Sequence, residues 1–199
     1  MAEGGICMGG KLAIYGYGSL LVDAGPDLQP FISERIPFPS PRPVEYARLS
    51  RSRGNSPAVA FFDGGGVVTG QVLVLDLSDT EEGRDKVAHS LWLREGRPPR
   101  AAIRTMSAGG VDTVFYVDLE PNIPNPSPKL LADFAINSVA KCAETGSIER
   151  NGIRYLWECL EIGVITPLSH AYADAILAKL RAKDLKEAEE IAVSKMGSR

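Results

Sequence analysis

The stretch Tyr15-Gly16-Tyr17-Gly18-Ser19-Leu20-Leu21 sets two glycines two residues apart at the end of an apolar run. Glycine tolerates positive φ and lets a ligand approach the main chain, so such a turn can aim successive N–H groups inward as a nest for an anion or carbonyl oxygen. The same pattern also serves as a plain strand-to-loop turn. Neither the three-glycine dinucleotide spacing nor a Gly-Lys-Ser/Thr ending is present, so no nucleotide fingerprint is complete. Arg48, Arg51 and Arg53 form a second candidate segment. A guanidinium offers a fork of donors that matches a carboxylate, although a basic cluster also suits a solvated strand edge. Glu95 closes a helical pattern, at the end of the helix dipole least favourable to an anion; a carboxylate so placed suits a general base. Ser19 is a poor candidate nucleophile, because His89 and His170 are the only histidines and neither lies in an elbow motif. Cys7, Cys142 and Cys159 have no metal-ligand spacing and leave one thiol over in any pairing. This argues against a His/Cys zinc cluster and for a reduced, cytoplasmic protein.

At 199 residues the chain has the length of one domain with a real core, and the reading divides it into a flexible leader over 1–10 and a single domain over 11–199. A net charge of −3 and a pI near 5.5 argue against a nucleic-acid surface, which carries a basic excess. No apolar run approaches the roughly 20 residues that a membrane span needs. The opening Met-Ala-Glu-Gly-Gly has neither the basic patch nor the apolar core of a secretory signal.

The elements that must position these residues follow from pattern. Lys11 to Ile14 reads as a strand. Residues 22–43 carry six prolines, with Pro37, Pro39, Pro41 and Pro43 in alternation, and this predicts an extended loop rather than a central strand. Val44 to Gly54 is a strand candidate. Pro57–Phe62 and Val67–Leu77, joined across Asp63-Gly64-Gly65-Gly66, read as a hairpin whose second strand is buried on both faces, with a bulge or close approach at Gly70. Ser78-Asp79-Thr80-Glu81 has the form of a capping box, and the helical stripe behind it runs through Val87, Ala88, Leu91, Trp92 and Arg94 to Glu95. Gly96-Arg97-Pro98-Pro99 stops that helix. Arg100–Met106 and Val111–Leu119 make a hairpin around Gly109-Gly110. Ser127-Pro128 starts a helix that runs to about Cys142, Ile153 to Leu160 is a core-facing helix, and helix resumes at Ser169, becoming Lys/Glu-rich and solvated after Arg181. The sum is an α+β fold: a small mixed, barrel-like β-sheet with flanking helices.

Taken together, these pieces resemble the γ-glutamylcyclotransferase superfamily, the ChaC-like branch more than the original one, over roughly residues 11–180. Ile14-Tyr-Gly-Tyr-Gly-Ser-Leu-Leu21 is similar to that family's Phe-Gly-Tyr-Gly-Ser-Leu-Ile signature, and Arg53-Gly54 to its Arg-Gly segment. Thr69-Gly70-Gln-Val resembles its Trp-Gly-Val strand, and Leu91-Trp-Leu-Arg-Glu95 the segment carrying its catalytic glutamate. Asn125-Pro126 and Gly152-Ile-Arg-Tyr-Leu156 are similar to its later Asn-Pro and Asn-Xaa-Glu-Tyr-Leu stretches.

The resemblance implies a cofactor-independent cyclisation of a small γ-glutamyl compound, such as glutathione, to 5-oxoproline and a free amine. Glu95 would be the base, with Glu82 as competitor, since Glu81-Glu82-Gly83 is similar to the Gln-Glu-Gly of the original branch. Gly18, Ser19 and Leu20 would supply main-chain donors to the oxyanion, Tyr17 would position the substrate and Arg53 would hold its carboxylate. The chain departs from the ChaC-like pattern at Thr69, where an aromatic is expected, and at Gly96-Arg-Pro-Pro99, where glycines and an aromatic are expected. Retention of the fold without turnover, as a ligand-binding or regulatory domain, is the alternative.

Overall fold

In the computed structural model, which describes residues 10–195, the run after Gly10 becomes strand β1 (Lys11–Gly16), with every residue beyond Lys11 buried. Apart from Gly10, the expected leader lies outside the described residues. The chain packs as two units. Among the described residues, one comprises 10–16, Leu20–Phe38 and Gly70–Asp118; the other comprises Tyr17–Ser19, Pro39–Thr69 and 119–195.

The first unit is built on a five-stranded mixed sheet. It contains β2 (Ile32–Pro39), β5 (Thr69–Ser78), β1, β7 (Val111–Val117) and β6 (Ile103–Ala108), in that order. β1 runs antiparallel to β5, with Ala13 opposite Val74, and parallel to β7, with Ala13 opposite Val114. The expected hairpin β6–β7 is present, its turn made by Gly109 and Gly110, both at positive φ as a tight two-residue turn requires. The barrel-like closure is not: β2 and β6 stand at opposite edges of an open sheet.

Residues 22–43 are expected as an extended loop rather than a central strand, yet β2 forms within them. Pro37 and Pro39 fall on alternate positions, so their missing N–H groups share one side of the strand, which an edge strand can leave unpaired. Gly70 is a site of close approach, since a Cβ there would run into Tyr15 Oη and Gly16 O. Helix α2 (Glu81–Arg94) packs on the sheet through Val87 and Leu91. Its cap is Thr80, whose side chain accepts from Gly83 N–H at 3.1 Å, not Ser78. Ser78 is still paired with Lys11 in the sheet and cannot also begin the helix.

In the second unit, β3 (Val44–Ser50) and β4 (Ser56–Phe61) form a two-stranded antiparallel sheet, with Arg48 opposite Ala58. This overturns the expected hairpin between residues 57–62 and 67–77. Instead the glycine turn folds onto β3: Gly66 N–H donates to Val44 O at 3.1 Å, and Val44 N–H to Gly66 O at 2.7 Å. A Cβ on Gly65 would collide with the Val44 backbone, so the glycines that suggested a hairpin serve to redirect the chain.

Helices α3 (Pro128–Glu144), α4 (Gly152–Glu161), α5 (Ser169–Leu180) and α6 (Leu185–Ser194) pack with this ribbon around Tyr46, Phe61, Leu131, Leu156, Tyr172 and Ile176. The chain beyond Arg181 is not wholly solvated as expected: α6 buries Leu185, Ala188 and Ala192. Its start is a reciprocal cap, with Glu187 N–H on Asp184 Oδ1 at 2.8 Å and Lys183 N–H on Glu187 Oε2 at 2.7 Å. Among the described residues no helix is long and apolar enough to cross a membrane.

Candidate functional site

The second unit brings three distant motif segments to one place. Gly18 has φ +64, and a Cβ added there would fall 2.7 Å from Tyr155 Oη and 2.9 Å from Val59 Cγ2. Tyr155, on α4, is 3 % exposed, and its hydroxyl accepts from Val59 N–H at 3.4 Å. The Arg53 guanidinium lies over the Tyr155 ring, 4.6 Å from its centroid. Stacking fixes the plane of the guanidinium while leaving its edge donors unspent, and among the described residues no carboxylate pairs with it. Gly54, at φ +63, lets this turn close on α3; a Cβ there would fall 2.7 Å from Ser138 O. The Arg-Gly pair therefore has a local reason: the glycine permits the approach that seats the arginine on its tyrosine.

The other predicted residues are placed as follows. Tyr17 packs its ring against Phe61, centroids 5.2 Å apart. Ser19 and Leu20 open the one-turn helix α1 (Ser19–Val22), whose first N–H groups find no acceptor within the helix itself. Leu20 is buried and, like Glu95, belongs to the first unit. Glu95 is the residue that caps the C-terminus of α2, its N–H bonded to Leu91 O at 3.0 Å. Its Oε1 accepts from Arg94 Nη1 at 2.7 Å, and the Arg94 guanidinium also donates to Asp23 O at 3.2 and 2.9 Å. The Glu95 side chain keeps 17 % of its surface, so it is held against the protein rather than turned out to solvent. Glu82 lies exposed in the first turn of α2. Among the described residues no group of three or more His, Cys, Asp and Glu side chains is arranged to hold a metal.

Sequence reasoning missed Tyr155, although it sits inside the quoted Gly152–Leu156 stretch and within the helix expected over Ile153 to Leu160. It also missed Arg94 as the partner of Glu95. Adjacent residues on a helix do not face each other, so the pairing depends on the helix ending there. A third omission is Glu158, one turn past Tyr155, whose carboxyl is raised above the usual carboxylate range chiefly by burial, with Arg53 opposing the shift.

Cys159 lies among Tyr46, Tyr155 and Tyr172, and burial pushes its thiol up to about 11. The three phenols are raised well above their ordinary range for the same reason, and Cys142 is raised by burial too. Each of these groups is more acidic in the unfolded chain. Their contribution to stability is therefore complete below about pH 8.5 and drains as pH climbs through the thiol and then the phenol range. The melting temperature is expected to fall steeply between about pH 9 and 11, and a flat profile there would contradict the assignment. At pH 8, a disulfide reagent is expected to label Cys142 and Cys159 on the order of 100-fold more slowly in the folded protein than in denaturant.

Gly18→Ala is a direct test of the cluster. The strained φ and the contact with Tyr155 Oη should together cost about 2 kcal/mol. The part owed to the hydroxyl should vanish in a Tyr155→Phe background, while the strained φ and the contact with Val59 Cγ2 remain. Equal costs in both backgrounds, read by thermal or urea melts, would show that the two residues do not meet.

Compared with models of known families, with curated proteins and with solved structures, the chain matches none.

Proposed function

We propose that this chain has the γ-glutamylcyclotransferase fold, nearest the ChaC-like branch, and releases 5-oxoproline from glutathione or another small γ-glutamyl compound. The observation that supports the reading is the gathering of Gly18, Arg53 and Tyr155. These residues come from three of the segments on which the resemblance rests, and core packing alone does not require an arginine with unspent donors among them.

The reaction needs no co-reactant. The α-ammonium of the substrate first loses a proton to Glu95. The freed nitrogen attacks the γ-carbonyl carbon, forming the lactam C–N bond and placing a negative charge on the oxygen. Main-chain N–H groups of Gly18, Ser19 and Leu20 are the donors assigned to that oxyanion. Collapse breaks the original amide C–N bond as the departing nitrogen takes that proton from Glu95; the ring nitrogen, still carrying two hydrogens, then gives its extra proton to the Glu95 carboxylate, which passes it to the released amine. Arg53 fits the α-carboxylate, because two parallel N–H groups match its two oxygens, and Tyr17 positions the chain of the substrate.

The test is 5-oxoproline release from glutathione and a panel of γ-glutamyl amines. A specific observation favours a second reading, a ligand-binding domain without turnover: the Glu95 carboxylate is already engaged by Arg94, whose Nη1 lies 2.7 Å from Oε1. Saturable binding of γ-glutamyl compounds with no 5-oxoproline formed would establish that reading instead.

A further inference from the structure

Beyond Glu95 the chain builds a cationic platform within the first unit. Trp92 is fixed at its polar end, where Nε1–H donates to Pro98 O at 2.7 Å. The Arg100 guanidinium lies over the indole at 4.0 Å and that of Arg97 at 5.7 Å. His89, one turn earlier on α2, lies against the same indole at 5.7 Å, with its Nδ1 3.5 Å from Arg100 Nη2. Arg97 itself adopts φ +60, the left-handed region that a residue with a side chain rarely enters, and is held there by its N–H on Trp92 O at 2.9 Å. Pro98 and Pro99 stiffen the turn that joins the two arginines.

Two guanidiniums are thus pre-organised on one ring by a strained backbone and two prolines. Arg84, Arg94 and Arg104 in the same unit each pair with a carboxylate: Asp79, Glu95 and Asp118 respectively. Among the described residues neither Arg97 nor Arg100 has such a partner. Two like charges stacked on the same indole thus lack a counter-ion, which a bound anion would supply. Trp92 precedes Glu95 by three residues, and residues so spaced on a helix are neighbours, about 5–6 Å apart at Cβ. Along the chain, the platform's indole thus stands one helical turn before the carboxylate that would hand a proton to the leaving nitrogen.

Resting on the γ-glutamyl reading, we infer that the leaving amine of the substrate is a dianion, bearing two acid groups or a phosphate, and is held by Arg97 and Arg100 on the Trp92 indole. Glutathione, whose leaving dipeptide carries one carboxylate, is then a secondary substrate, and γ-glutamyl alkylamines are poor ones.

The experiment compares γ-glutamylglutamate, γ-glutamylphosphoethanolamine, glutathione and γ-glutamylbutylamine, in the wild type and in Arg97→Gln/Arg100→Gln. This variant removes both charges and keeps the stacking stems. The expected result is a kcat/KM for at least one of the two dianionic substrates at least tenfold above that for glutathione. That ratio should shrink with salt and approach one in the double variant, with an unchanged melting temperature. Which dianion leads separates a phosphate from a diacid. Equal rates for glutathione and both dianions, or a preference unmoved by the double variant, overturn the inference.

A second readout does not depend on turnover. In a Trp157→Phe background, Trp92 fluorescence is titrated with free glutamate and with phosphoethanolamine. A saturable, salt-sensitive change that the double variant abolishes, without 5-oxoproline from any substrate, keeps the anion site and discards the cyclotransferase. Absence of saturation with both probes discards the site, whatever the activity assay gives.

Discussion

Glu95→Gln is expected to lower 5-oxoproline release by about 10²–10⁴-fold while leaving the melting temperature within about 2 °C of the wild type, the range being that of a lost general base. The amide cannot take a proton from the substrate ammonium at neutral pH. It does keep an acceptor oxygen for Arg94 Nη1, so the contact that ties Arg94 to the end of α2 and to Asp23 O survives the substitution. Loss of turnover is then separable from loss of structure. Release that survives unchanged would move the base elsewhere, with Glu82 the first residue to test. Glu95→Asp adds a useful arm: it retains a carboxylate but shortens its reach, so partial activity is expected from it and none from a merely structural role.

The second large effect is on stability. Asn151 is fully buried at the junction of α4 and α6 and uses both ends of its amide. Its Oδ1 accepts from Ile153 N–H at 2.9 Å and Arg154 N–H at 3.0 Å, capping α4. Its Nδ2 donates to Ile148 O at 2.7 Å and to Glu189 Oε1 at 2.6 Å. Glu189 is itself nearly buried, and Arg154 completes its coordination at 3.0 Å.

Asn151→Ala removes the cap, worth about 1 kcal/mol, and takes one donor from the part-buried Ile148 carbonyl and one from the nearly buried Glu189 carboxylate, at about 1–3 kcal/mol more. A loss of about 3 kcal/mol is expected, seen as a fall in melting temperature of roughly 6–12 °C for a chain of this size. Asn151→Ser, which can still cap, should recover about 1 kcal/mol of it. A cost below about 0.5 kcal/mol, the range of an ordinary surface substitution, would mean that the junction is not formed as described. Because α4 carries Tyr155, the same variant should also loosen the seat of Arg53.

Much of the local structure was legible in the residues themselves. Gly109-Gly110 between β-rich runs specified its hairpin, since both turn positions need positive φ. Ser127-Pro128 specified the start of α3, and the Gly96-Arg-Pro-Pro99 run specified the end of α2 at Glu95. Where local signals competed, the reading failed. Ser78 and Thr80 are both good caps, and only the pairing of Ser78 with Lys11 shows which one is free to serve. The reciprocal cap of Asp184 and Glu187 was present in the sequence but hidden in a Lys/Glu-rich run that reads as solvated helix.

The sequence by itself determined the elements whose causes are local: glycines at positive φ, prolines at helix ends, apolar stripes and the end-of-helix position of Glu95. Tertiary structure decided what depends on partners far along the chain. It paired β4 with β3 rather than β5, made an edge strand of a proline-rich segment, and left the sheet open. It also laid Arg53 on Tyr155 and set Gly18 against the same phenol. Strand pairing and side-chain stacking are contacts between segments, each weak alone, and their outcome is settled by the whole set of competing partners rather than by the residues that flank them.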